Sequence, residues 1–185
     1  MKLQKNTLFL ILLAFILSGS VYLYEMGQRS TIESTQKERQ LFNLTEENIV
    51  KLTVERSELT LKFIRSKKDS DSWQMTAPQD AVAEDGRISF LLDLAVNNIK
   101  ERDFNISDRQ LGQYGLERPK GKIILETKDR QTYQIILGKK AIAPNTIYAR
   151  IITPQTTSSE IQVVVVSQNW QYGIEQELAE WTKES

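Results

Sequence analysis

VKLTVERSELTLKF, residues 50–63, sets the architecture of what surrounds it. Val50, Leu52 and Val54 alternate with Lys51, Thr53 and Glu55, so one side of the backbone is apolar and the other polar. Successive side chains of a strand point to opposite faces, and this period of two marks a strand with one buried face. Leu59, Leu61 and Phe63 then alternate with Thr60 and Lys62, and Arg56-Ser57 turn the chain between the two runs. The pair predicts an antiparallel hairpin. Trp73 and Met75 begin a third short strand, which Pro78 ends because proline has no N–H for a ladder.

The same grammar returns downstream. Ile123 and Leu125 alternate with Ile124 and Glu126, Lys128-Asp129-Arg130-Gln131 turn the chain, and Tyr133, Ile135 and Leu137 bring it back to Gly138-Lys139. A strand follows at Ile147–Ile152. Strand–turn–strand–loop–strand thus occurs twice, at 49–76 and 122–152, and Ile161–Val166 adds one further strand. Val163–Val166 is apolar on both sides, which predicts a central position. Between the units, Ile88, Leu91, Leu92, Ala95, Val96 and Ile99 keep helical spacing over Asp85–Lys100, a helix that should cover the sheet. Ser107 or Asp108 caps a short helix through Tyr114, with Gly115 as its stop. In the tail, Trp170, Ile174, Leu178 and Trp181 fall on one helical stripe. That stripe reads either as a closing helix packed on the domain or as a partner-binding helix anchored by tryptophan. The fold class predicted is α+β: a mainly antiparallel sheet with packed helices, preceded by a transmembrane helix.

That helix is read from Thr7–Tyr24, TLFLILLAFILSGSVYLY, which has no charge. A span needs about 20 mainly apolar residues, and Tyr22 and Tyr24 stand where interfacial aromatics belong. Lys2 and Lys5 precede the span and Glu25 follows it, so the positive-inside rule keeps 1–6 in the cytoplasm and exports the rest. Ser18-Gly19-Ser20 leaves open a cleaved signal peptide. Residues 25–40 read as a polar stalk, and 41–185 as the extracytoplasmic domain, periplasmic or thylakoid-lumenal.

Composition narrows the chemistry. The 185 residues carry 24 basic and 24 acidic side chains; beyond Lys2 and Lys5 the balance is 22 to 24. Nucleic-acid binding wants a clustered basic face, which this balance does not offer. Without cysteine or histidine there is no disulfide framework, no zinc site of the usual kind and no Ser-His-Asp or Cys-His set. Ser34-x-x-Lys37 lies in a charged stalk, and Asp69-x-Asp71 lacks the glycine and glutamate of a calcium loop, having Gln74 and Asp80 there. Glu46, Glu47, Glu84, Asp85 and Asp103 are the carboxylates on which a hydrolase would depend. No cofactor, metal or small-molecule substrate is identifiable, and the expectation is a protein without catalysis.

Several short motifs coincide with one family. They are Tyr22-Leu23-Tyr24-Glu25 at the end of the anchor, 41–49 leading into the hairpin, and Trp73 to Pro78 closing it. Then come Tyr114-Gly115-Leu116-x-x-Pro119, Leu137-Gly138-Lys139 and Ile147-Tyr148-Ala149. Together they resemble the bacterial family catalogued as domain of unknown function 4340, and the ending from Val164 to Trp181 is similar to its cyanobacterial members. The resemblance implies an exported α+β domain with no assigned reaction. It also implies, from relatives encoded beside ABC-type export systems, an accessory or substrate-capture role. Physically, Gly115 is expected at positive φ, Pro119 to stiffen the approach to the next strand, Tyr114 to bury its ring beside the sheet, and Gly138 to form a bulge or tight turn. The expected function is a non-catalytic interaction or assembly module of a larger membrane protein complex. An export-system subunit and a carboxylate-dependent hydrolase are the alternatives.

Overall fold

The computed structural model describes residues 39–66, 72–156 and 161–183. The span read at 7–24, nearly all of the stalk, Ser34-x-x-Lys37 and Asp69-x-Asp71 lie outside the described residues. The chain divides into two units, Met1–Arg39 and Gln40–Ser185. Among the described residues no helix is long and apolar enough to cross a membrane.

Among the described residues nine strands form one antiparallel sheet: β1 (Ile49–Glu55), β2 (Thr60–Arg65), β3 (Trp73–Ala77), β4 (Ala81–Val82), β5 (Arg102–Ile106), β6 (Gly121–Thr127), β7 (Thr132–Lys140), β8 (Thr146–Ile152) and β9 (Ile161–Ser167). Their spatial order is β4-β3-β2-β1-β6-β7-β8-β9-β5. The two three-strand units of the sequence are β1–β3 and β6–β8. They join side by side through β1 and β6, where Leu52 faces Leu125 and Val54 faces Ile123. A bulge between Ile49 and Lys51 changes the face of the first residues, so Ile49 is buried and Val50 only partly so.

Two strands go beyond the sequence reading. β4 is two residues long. β5 follows the stretch Asp85–Lys100, over which helical spacing was read. The helix α1 (Asp85–Asn97) instead stops at Asn98, and Arg102–Ile106 pairs with β9. As an edge strand it needs only one apolar side, which Phe104 and Ile106 supply. β9 therefore has a neighbour on each side, and its double-faced apolar character is used. Val164 and Val166 join the main core, while Ile161 and Val163 join a smaller cluster.

The main core lies on one face of the sheet, where Leu61, Leu52, Leu125, Ile135 and Ala149 meet α1 through Ile88, Leu91, Leu92 and Ala95. Full burial of such a side chain stabilises by roughly 1.5–3 kcal/mol, so helical spacing in 85–97 suffices to seat the helix. The smaller cluster is Leu116, Ile161 and Val163, packed with Phe104, Tyr114 and Tyr148. The 3-10 helix Asp108–Tyr114 covers it, opened by a Ser107–Gln110 capping box and closed by Gly115 at φ 71°.

The tail corrects the single-helix expectation. α2 (Asn169–Ile174) ends at Glu175, and a separate 3-10 helix, Leu178–Trp181, follows.

Candidate functional site

Among the hollows on the surface of the domain, two are lined by described residues throughout. The first, of about 350 Å3, is assembled from three distant stretches: the segment before β1, the β6–β7 turn and the exit from β8. The turn is held by Thr127, which is buried; its hydroxyl bonds the Asp129 carboxylate and receives the Gln131 N–H at 3.1 Å. Arg130 takes φ 63° to close it. The Tyr133 hydroxyl donates to Gln131 Oε1 at 2.9 Å, and its ring meets Phe42 edge-on at 5.7 Å. Burial, and then the charge of Asp129, push the Tyr133 phenol up from its ordinary value, so it stays a donor. The Lys128 N–H donates to the Asn48 carbonyl at 2.9 Å and ties the first segment to the turn. Asn43, Asn48, Thr153 and Gln155 complete the polar wall over Leu41, Phe42 and Leu44.

The second hollow, of about 330 Å3, lies between the β1–β2 turn and the segment entering β6. Glu55, Arg56, Ser57 and Lys122 line it with Leu116, Pro119 and Ile136. Lys122 pairs with Glu55 at 2.7 Å.

Sequence singled out other residues, and their placement explains most of them by packing. Tyr114-Gly115-Leu116 and Leu137-Gly138-Lys139 are one contact: a Cβ on Gly138 would lie 2.2 Å from the Tyr114 carbonyl oxygen, and one on Gly115 2.7 Å from the Lys139 nitrogen. The register of β7 and β8 shifts between Leu137 and Lys140, which gives Gly138 the bulge expected of it. Leu116 is buried against Ile161 and Val163, and Tyr114 stacks among Phe104 and Tyr148 at 5.3 and 5.0 Å. Pro119 is exposed on the rim of the second hollow. Trp73 is buried under the Arg65 guanidinium, 4.8 Å above its ring, and Pro78 follows a cis peptide just past β3.

Trp170, Ile174 and Trp181 are fully buried, and Leu178 packs against the same core. Trp181 meets Phe63 at 5.5 Å. The four form no surface stripe, and the closing role is the one this geometry fits. What the tail does expose is Tyr172, 51% accessible, beside Gly173. The Phe90 ring of α1, itself 41% accessible, lies within 3.1 Å of where a Gly173 Cβ would be. Phe90 and Tyr172 are thus two exposed aromatic side chains on helices that meet at Gly173. Their sequence signal was absent, because Phe90 stands one place off the buried stripe of α1.

The carboxylates do not converge. Asp85 pairs with Lys183 at 2.6 Å, and Asp103 pairs with Lys100 at 3.2 Å and accepts from Gln162 at 2.9 Å. None of Glu46, Glu47, Glu84, Asp85 and Asp103 lines either hollow. Among the described residues no group of three or more potential ligands is placed to hold a metal ion.

A protein-family model described as "Domain of unknown function (DUF4340)" matches residues 73–185. The match takes in both halves of the Gly115–Gly138 contact and the β6–β7 turn. It leaves out β1, β2 and the segment that brings Asn43 and Asn48 to the first hollow. No curated protein and no solved structure matches the chain.

Proposed function

The chain belongs to the DUF4340 family of domains of unknown function, and we propose that it is a membrane-anchored, extracytoplasmic, non-catalytic interaction module of a larger membrane protein complex. The charge-free run Thr7–Tyr24 with its basic flank supports the anchor and its orientation. The observation that carries the interaction role is the exposure of two aromatic side chains, Phe90 of α1 and Tyr172 of α2, on helices that approach closely at Gly173. Aromatic side chains held rigidly on a surface give large contact area at small entropic cost, which is why they anchor interfaces.

A photo-reactive phenylalanine at position 172, introduced in the full chain and activated in intact membranes, tests this. The expected result is one discrete adduct with a membrane-embedded protein, weakened when Phe90→Ala is added. Absence of any adduct, or equal yield from a probe at exposed Ser57, overturns the reading.

A further inference from the structure

We propose that the 350 Å3 hollow between the segment before β1, the β6–β7 turn and the exit of β8 is a binding site for a neutral saccharide unit. Four carboxamides, on Asn43, Asn48, Gln131 and Gln155, surround this space together with the Asp129 carboxylate, and no lysine or arginine lines it. A phosphate or carboxylate ligand would meet one negative charge and no positive one, so anions are disfavoured. A carboxamide offers an acceptor and two donors side by side, and a carboxylate offers acceptors alone. Adjacent sugar hydroxyls each donate and accept, and they satisfy such groups in pairs. Half-buried Leu44, over the buried side chains of Leu41 and Phe42, offers an apolar contact for the C–H face of a sugar ring.

The donors and acceptors are partly pre-set. Thr127 holds one side of Asp129, and the Tyr133 hydroxyl occupies Gln131 Oε1, so the Gln131 amide is turned to donate. Among the described residues the carboxamides of Asn43, Asn48 and Gln155 make no hydrogen bond to the protein. They line a concave space with their hydrogen-bonding capacity unspent. The volume lies within the roughly 300–1,000 Å3 usual for small-molecule sites.

The test is saturation-transfer NMR on the full chain in phospholipid nanodiscs, which avoids sugar-based detergents. The probes are maltose, cellobiose and N,N′-diacetylchitobiose, with glucose 6-phosphate as the anionic comparison. The expected result is saturable transfer to at least one neutral disaccharide and less to the phosphate. Asn48→Ala should weaken binding a few-fold, roughly the worth of one neutral hydrogen bond, and Asp129→Asn about tenfold or more, since its bond is to a charged group. Arg56→Ala, in the other hollow, should leave it unchanged. Asn48 is exposed and its side chain holds nothing in place, so that variant keeps the test open if Asp129→Asn folds poorly. No transfer from any of the three disaccharides overturns the proposal, as does binding that survives both substitutions or stronger binding of the phosphate.

Discussion

At Gly138 the backbone leaves no room for a side chain. A Cβ there would sit 2.2 Å from the Tyr114 carbonyl oxygen and 3.0 Å from that of Tyr148, both main-chain atoms that cannot step aside. Gly138→Ala is therefore expected to destabilise by about 1–3 kcal/mol or more, the usual cost of overpacking, read as a lower urea midpoint by tryptophan fluorescence. Gly112→Ala is the contrast. Its nearest atom is the end of the Glu117 side chain at 2.9 Å, which rotates away, and the midpoint should barely move. Tyr133 gives a second residue-level expectation. Its phenol is raised by burial and by Asp129, so the stability carried by the neutral phenol is fully present below pH 10 and is lost as pH rises through the folded value. Tyr133→Phe should cost about 1 kcal/mol at pH 7 through the lost bond to Gln131. That gap should shrink as pH rises above 10, and a gap that widens instead would contradict the assigned cause.

At the scale of elements, buried contacts between them outweigh ion pairs on their surface. Trp181 is fully buried against Phe63, and Trp181→Ala should cost about 3–5 kcal/mol, as large-to-small core changes do. The Arg87–Glu180 pair lies in the same region at 2.6 Å, yet both partners are exposed, and Arg87→Ala should cost below about 1 kcal/mol. Thermal unfolding of the two variants side by side decides between the accounts. The same tail shows where sequence reading stops. Trp170 and Ile174 are four apart and share a buried face, as spacing predicts, but the helix does not continue to Trp181. Glu177 and Glu180 form a capping box that starts a new 3-10 turn, with the Glu177 N–H donating to Glu180 Oε2 at 3.0 Å. Glutamate at a cap is outside the Ser/Thr/Asp/Asn signature by which such starts are recognised. β5 was hidden for a related reason. Arg102-Asp103-Phe104-Asn105-Ile106 has too few apolar residues to announce a strand, and only its place beside β9 makes it one.

Across the whole molecule, local alternation made the hairpins β1–β2 and β6–β7 legible, because each is fixed by neighbours in sequence. The joining of β1 to β6 and the first hollow depend on residues far apart in the chain, such as Asn48 beside Lys128, and no local pattern encodes them. The anchor is the reverse case: it is read from composition alone, so its test must also report on the whole chain. The absence of cysteine makes this direct, since any introduced thiol is the only one. Ile142, 95% accessible in the β7–β8 loop, is replaced at no packing cost. In spheroplasts of a bacterial host, Ile142→Cys should react with a membrane-impermeant maleimide without lysis and stay with the membrane fraction. Lys5→Cys should react only after permeabilisation. Labelled protein released into the medium would mean a cleaved leader, and protection of Cys at 142 would place the body on the cytoplasmic side. The first outcome removes the anchor and the second reverses its orientation, and each overturns the extracytoplasmic, membrane-anchored part of the proposed function, while the saccharide site, built wholly within Gln40–Ser185, would stand or fall on its own binding data.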